Sequence, residues 1–194
     1  SHKDEELINN LKQLKSMGKK LVVYTGRLTF QKGIEYLLKA AKDVSSHEKN
    51  ALFLIVGSGD MEYRLIELAA ELGLSNKVIF AGFLRGSKLK AVYDQADLFI
   101  MPSVNEPFGL VALEALIHKT PIIVSKTSGV AEVLSHSLKV DFWDIPELSH
   151  LILAVLKYPA LSYQLSEWGH TEVKGVSWDK AAEKTADIYQ SLLY

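Results

Sequence analysis

The residues best placed to do chemistry lie in the run Pro102-Ser103-Val104-Asn105-Glu106-Pro107-Phe108-Gly109-Leu110-Val111-Ala112-Leu113-Glu114. Pro107 holds the residue before it extended and is itself suited to starting a helix. The amides of Phe108, Gly109 and Leu110 would then be unpaired donors at a helix N-terminus, a place where N–H groups and the helix dipole hold an anion. Glu106 stands just before that helix and Glu114 lies inside it. Two carboxylates bracketing such a site could be the acid/base pair of a hydrolase. They could instead accept hydrogen bonds from sugar or ribose hydroxyls while the amides hold a phosphate. A purely structural reading makes Glu106 a capping residue and Glu114 a solvent-facing one. Residue types and spacing alone leave all three open.

A second group is Gly26-Arg27-Leu28-Thr29-Phe30-Gln31-Lys32-Gly33, which follows a strand-like run and leads into a helical pattern. Two cations beside the positive end of a helix suit a diphosphate, and glycines at both ends let backbone approach a ligand closely. A solvated surface loop is the alternative. A third run, Val56-Gly57-Ser58-Gly59-Asp60, has a GxG turn, but Glu62 stands where a dinucleotide fingerprint needs its third glycine. No P-loop or GxSxG pattern is present. The 6 histidines are scattered without HxxxH or HExxH spacing, and there are 0 cysteines. Thiolate metal sites, cysteine nucleophiles and disulfides are therefore excluded.

These groups need elements to position them. Continuous, β-branched apolar runs predict strands at Lys20–Thr25, Ala51–Val56, Val78–Ala81, Leu98–Met101 and Ile122–Ser125, with a weaker sixth at Leu138–Phe142. Continuous rather than alternating runs mean strands covered on both faces. Helical periodicity falls between them, at Ile34–Ala41, Tyr63–Leu72, Lys88–Gln95 and Phe108–His118. After the last strand, Pro146–Tyr158, Leu161–Gly169 and Trp178–Leu193 read as helices. Alternating strand and helix implies βαβ units and a parallel, doubly wound sheet, whose ligands bind at the carboxyl ends of the strands. All three groups above follow predicted strands. Asp97 and the aromatics Tyr24, Phe53, Phe80 and Phe99 read as structural.

With 194 residues, 48 % of them hydrophobic and 23 % charged, the chain suits one globular domain. The net charge of −1 supplies no field for nucleic-acid binding, and no apolar run reaches membrane-spanning length. The polar, charged start SHKDEELINN is not a signal peptide.

Taken in order, these motifs resemble the C-terminal domain of a GT-B glycosyltransferase of the retaining group 1 family. GRLTFQKG looks like the family's Gly-Arg-Leu…Lys-Gly loop, and IVGSGD like its second-strand turn. VIFAGFL and VYDQADLFIMPS match its middle section, and Glu106 and Glu114 its paired glutamates. A tryptophan before the last helix, here Trp178, is also typical. The resemblance covers nearly the whole chain and implies a Rossmann-like doubly wound α/β domain of about six strands with a helical tail, one half of a GT-B fold.

It also implies roles. Arg27 and Lys32 would grip the diphosphate of a nucleoside-diphosphate sugar and stabilise its charge as it leaves. Glu106 would orient the hydroxyls of the transferred hexose, and Glu114 would bind the ribose. The backbone of Phe108, Gly109 and Leu110 would complete the phosphate site. Gly26 and Gly57 would lie beside the donor, and Phe83 and Leu84 near the base. The transfer would proceed with retention of configuration and without a metal ion. The hydrolase reading becomes a minor alternative.

On this resemblance, residues 1–194 form a single donor-binding domain, whose partner is the acceptor-binding N-terminal domain of the same longer protein. A glycan or small-molecule acceptor would bind there, and the isolated domain would not turn over. A cytoplasmic location, peripheral at the inner membrane through that other domain, goes with it. A non-catalytic nucleotide-sugar module and a nucleotide-sugar epimerase of the same fold are the competing readings. Two departures stand out. Lys119 occupies a position where the family usually has a glycine for a left-handed helix end. Ser128 stands where a glycine pair is usual.

Overall fold

In a computed structural model, which describes residues 2–176, the apolar runs form strands β1 (Lys20–Thr25), β2 (Ala51–Val56), β3 (Val78–Gly82), β4 (Leu98–Met101), β5 (Ile122–Ser125) and β6 (Leu138–Val140). They pair in the order β3-β2-β1-β4-β5-β6, and every pairing is parallel. The sixth strand ends before Phe142. The chain turns there, with the Asp144 amide bonded to the Asp141 carbonyl at 2.9 Å and Lys126 paired with Asp141.

Continuous apolar runs follow from two separate cores. In β2, Phe53 and Ile55 face one core, while Leu52, Leu54 and Val56 face the other. The first core is closed by α2 (Ile34–His47), α3 (Glu62–Glu71) and α7 (Ile145–Lys157). The second is closed by α1 (His2–Ser16), α4 (Ser87–Gln95), α5 (Leu110–Ile117) and the short α6 (Gly129–Val133). Helix α8 (Pro159–Val173) runs between them, with Leu161 and Leu165 against the first core and Val173 in the second. The fold is thus the doubly wound parallel α/β domain expected. The expected helix at Trp178–Leu193 lies outside the described residues.

Helices α1 and α6 were not expected. The N-terminal segment is dominated by polar residues, but Leu11 is buried and Leu7, Ile8 and Leu14 pack beside it in the second core. Lys15 anchors the end of α1 to Asp97 at 2.5 Å, and the same Asp97 oxygen accepts the Leu21 amide at 2.7 Å. Asp97 is structural, as expected. Helix α7 starts where its sequence signals it, with the Asp144 carboxylate accepting the Glu147 amide at 3.0 Å and Pro146 in the first turn.

The departure at Lys119 is left-handed. Its φ of 59° makes it the only non-glycine with positive φ among the described residues. Its carbonyl accepts the Ser166 hydroxyl at 2.6 Å and its ammonium pairs with Glu167 at 2.7 Å, so α8 holds the strained turn in place. Among the described residues, no helix is long and apolar enough to cross a membrane.

The chain runs from β1 outward to β3, then returns to the other side of β1 to place β4. The strand order therefore reverses between β1 and β4, where only Val22↔Leu98 and Val23↔Phe99 are in register. Beyond those pairs the two strands lead into separate loops, and a crevice opens between them.

Candidate functional site

Both walls of this crevice are loops that begin at strand ends. The wall after β1 is 26–33, which ends in a single 3-10 turn, Phe30–Lys32. The buried Tyr24 hydroxyl donates to the Arg27 carbonyl at 2.8 Å and pins the start of this loop. The wall after β4 is 102–109. Its Val104 amide donates to the Gln31 carbonyl at 2.9 Å, tying one wall to the other.

Close approaches of this kind require glycine, and at Gly33 and Gly57 the neighbour is protein backbone. A Cβ on Gly33 would stand 2.0 Å from the Pro102 carbonyl oxygen, and one on Gly57 would stand 1.8 Å from that of Gly26. Gly33 was expected to admit a ligand; it admits the opposite wall.

The side chains join the walls as well. Lys32 and Glu106 form an ion pair, with both side chains largely buried. Glu106 is therefore not a helix cap. Helix α5 begins at Leu110, with Gly109 as its N-cap and no side-chain cap. This corrects the expected start by two residues: of Phe108, Gly109 and Leu110, only Leu110 belongs to the helix. The Phe108 carbonyl accepts the Val130 amide at 2.7 Å and the Glu106 carbonyl the Gly129 amide at 3.0 Å. The Ser128 hydroxyl, in place of a glycine, donates to the Ser125 carbonyl at 2.6 Å. The loop before α6 thus buttresses the wall 102–109.

Two depressions open along the crevice. One, of about 470 Å³, is lined by Gly57, Phe83, Leu84 and Glu114, together with the end of β1. The other, of about 350 Å³, is lined by Lys32, Glu106, Phe108, Gly109 and Leu110, again with the end of β1. Thr25, Gly26, Arg27 and Val111 belong to both. The residues to which the resemblance gives a role therefore line two adjoining depressions. The two carboxylates lie in different depressions, which is a poor arrangement for an acid/base pair acting on one bond.

Among the described residues the exposed Arg27 guanidinium has no ion-pair partner. Glu114 accepts a hydrogen bond from the Tyr93 hydroxyl at 3.1 Å, so it is more than a solvent-facing residue. Burial, reinforced by the Glu106 charge, pushes the Tyr24 phenol well above its ordinary range. Burial does the same to Tyr93; the Thr25 hydrogen bond opposes it and Glu114 adds to it.

Tyr93 and Thr25 were not singled out from the sequence, and Tyr24 was read only as core. A polar residue closing an apolar strand, as Thr25 does, is the one available signal. Ser103 was also missed: its buried hydroxyl lines the second depression and has no partner among the described residues.

Comparison with known proteins identifies the family and the fold. The family model described as glycosyl transferases group 1 matches residues 8–170. A glycosyltransferase of Methanocaldococcus jannaschii is 38 % identical over 181 residues, covering 88 % of this chain and 45 % of the relative. The structure of sucrose-phosphate synthase from Thermosynechococcus elongatus is 30 % identical, with a TM-score of 0.76 over 90 % of this chain and 46 % of that one. The C-terminal domain of a group 1 glycosyl transferase from Francisella tularensis, 21 % identical, shares the fold with a TM-score of 0.76. It is covered over 91 % of its length, and 85 % of this chain is matched. The chain spans somewhat under half the length of the first two. The chain belongs to the group 1 glycosyltransferase family and has the fold of the C-terminal domain of a GT-B enzyme.

Proposed function

We propose that this chain is the donor-binding half of a retaining glycosyltransferase that moves a hexosyl group from a nucleoside-diphosphate sugar to a hydroxyl acceptor. The observation that carries the reading is the pair of depressions sharing one wall at Thr25, Gly26 and Arg27. A nucleotide sugar has the same three parts in the same order: base and ribose, diphosphate, sugar.

The base and ribose occupy the depression with Phe83, Leu84, Gly57 and Glu114, where the carboxylate accepts from ribose hydroxyls. The diphosphate lies across the shared wall, held by Arg27, by Lys32 and by the backbone of Phe108, Gly109 and Leu110. Lys32 keeps two of its three N–H donors when one serves Glu106. The sugar lies beside Glu106, which orients its hydroxyls.

In the transfer, the bond between the anomeric carbon and the phosphate oxygen breaks, and a bond to the acceptor oxygen forms on the same face. The acceptor proton passes to the departing phosphate. Arg27 and Lys32 oppose the negative charge that develops on that phosphate, the electrostatic contribution that usually dominates such steps. The side chains supply this without a metal ion.

The acceptor binds on the preceding domain of the longer protein, so the isolated chain binds donor weakly and does not turn over. The setting is cytoplasmic, peripheral at the inner membrane through that domain.

A thermal-shift panel of UDP, GDP, ADP and their hexose conjugates tests the reading, because a ligand that prefers the folded state raises its melting temperature. One nucleotide series is expected to give a saturable shift, and the Arg27→Ala/Lys32→Ala variant to lose it. A variant that keeps the wild-type shift removes the diphosphate assignment.

A further inference from the structure

Behind Glu114 lies a buried polar chain that the donor site above does not use. Tyr93, on α4, is 2 % exposed, and its hydroxyl is 2.8 Å from the Thr25 hydroxyl and 3.1 Å from Glu114 Oε2. The Glu114 carboxylate and the more distant Val111 carbonyl, at 3.5 Å, can only accept, so the phenol proton points to the nearer Glu114 oxygen and the Thr25 hydroxyl donates to the phenol oxygen. The order is therefore Thr25 to Tyr93 to Glu114, each bond polarising the next.

The phenol is itself held firmly. Its ring stacks on His118 at 5.7 Å and meets Phe99 edge-on at 6.0 Å, while its backbone carbonyl accepts the Thr120 hydroxyl at 3.1 Å. Glu114, in contrast, is exposed in its depression. A buried, closely packed donor thus holds one oxygen of an exposed carboxylate.

We propose that Tyr93 is a positioning residue that holds the Glu114 carboxylate in the plane needed to accept from two neighbouring hydroxyls at once, so that the site selects ribonucleotides over 2′-deoxyribonucleotides. The proposal rests on the ribose assignment of Glu114 made above. A fixed carboxylate offers two acceptor positions to a vicinal diol, and a 2′-deoxyribose fills only one of them. An unanchored carboxylate rotates and meets either sugar through a single contact, so the two nucleotides converge in affinity. The high phenol pKa keeps Tyr93 a donor across the neutral range.

The test is calorimetric titration of the 194-residue chain with UDP, GDP and ADP and with their 2′-deoxy counterparts. For the preferred base, the wild type is expected to bind the ribonucleotide roughly tenfold more tightly, the worth of one hydrogen bond to a charged group. Tyr93→Phe should reduce that ratio to about threefold or less, and Glu114→Ala should bring it close to unity. Tyr93→Phe leaves the Thr25 hydroxyl buried without its partner. Thr25→Val/Tyr93→Phe replaces both groups by apolar ones of similar shape, keeps the fold, and should show the same reduced ratio.

A Tyr93→Phe or double-variant ratio equal to wild type, with Glu114→Ala still collapsing it, overturns the positioning role and leaves the ribose assignment standing. A wild type without ribose preference, or a Glu114→Ala variant that keeps it, overturns the ribose assignment and this inference together.

Discussion

The Lys32 ammonium and the Glu106 carboxylate are ion-paired across the crevice, so the cation proposed for the diphosphate is already partly neutralised by the group proposed for the sugar. A phosphate entering beside them is attracted by one partner and repelled by the other. Glu106→Gln removes the repulsion and keeps the shape. It should bind a bare nucleoside diphosphate about threefold to tenfold more tightly, while the full-length enzyme loses transfer. Lys32→Ala should weaken the same binding by about tenfold or more. Titration of each variant checks this, and equal affinities in all three proteins would remove Lys32 from the anion site.

Gly57, proposed to lie beside the donor, is first a packing requirement. Its φ is 144°, and an added Cβ would stand 1.8 Å from the Gly26 carbonyl oxygen, a backbone atom that cannot swing aside. Gly57→Ala is expected to cost about 3 kcal/mol of folding stability. Urea unfolding measures it, and a loss below about 1 kcal/mol would mean the two turns separate easily.

The left-handed Lys119 predicts the opposite sign. Lys119→Gly relieves a conformation that costs any side chain, at the expense of the Glu167 ion pair on an exposed surface. The melting temperature should rise by about 2 °C. Lys119→Ala keeps the strain, loses the ion pair and should melt below wild type. A drop in the glycine variant would show that the ion pair outweighs the strain.

Alkaline pH tests the two buried phenols. The folded-state pKa values of Tyr24 and Tyr93 are raised above the unfolded value of 10.0, so the native state keeps protons that the unfolded chain gives up. The stabilisation is fully present below pH 10 and is lost as pH rises toward the folded values. Above pH 10 each phenol should contribute a decline of about 1.4 kcal/mol per pH unit. Denaturant curves between about pH 9 and 11 should fall less steeply for Tyr24→Phe/Tyr93→Phe than for wild type. Identical slopes would contradict the burial of both hydroxyls.

The four inner strands β1, β2, β4 and β5 were legible because each is covered on both faces. A run such as ALFLIV at Ala51–Val56 admits no polar residue when alternate side chains enter two different cores. Four of the six strands have the same bounds in sequence and structure. The candidate residues were legible too, because each follows a strand and doubly wound sheets bind ligands there. What stayed hidden depends on neighbours far along the chain. Lys32 meets Glu106 across 74 positions, and Tyr93 meets Glu114 across 21 through a helix that showed only its apolar face. Helix α1 was hidden because its burial comes from Leu7, Ile8, Leu11 and Leu14 amid charged residues. Its apolar stripe is real but thin, and α4 is what makes it worth forming.

The interlocked walls of the crevice bear on how enzymes of this kind could be recombined. Gly33 lies against the Pro102 carbonyl, Val104 bonds to Gln31, and the loop before α6 holds Glu106 and Phe108 from behind. Grafting the 26–33 segment alone from a relative would bring one half of a fitted joint. Chimeras meant to alter donor preference should move 26–33, 102–109 and 126–130 as one cassette; these loops are a single interlocked unit scattered over three stretches of chain.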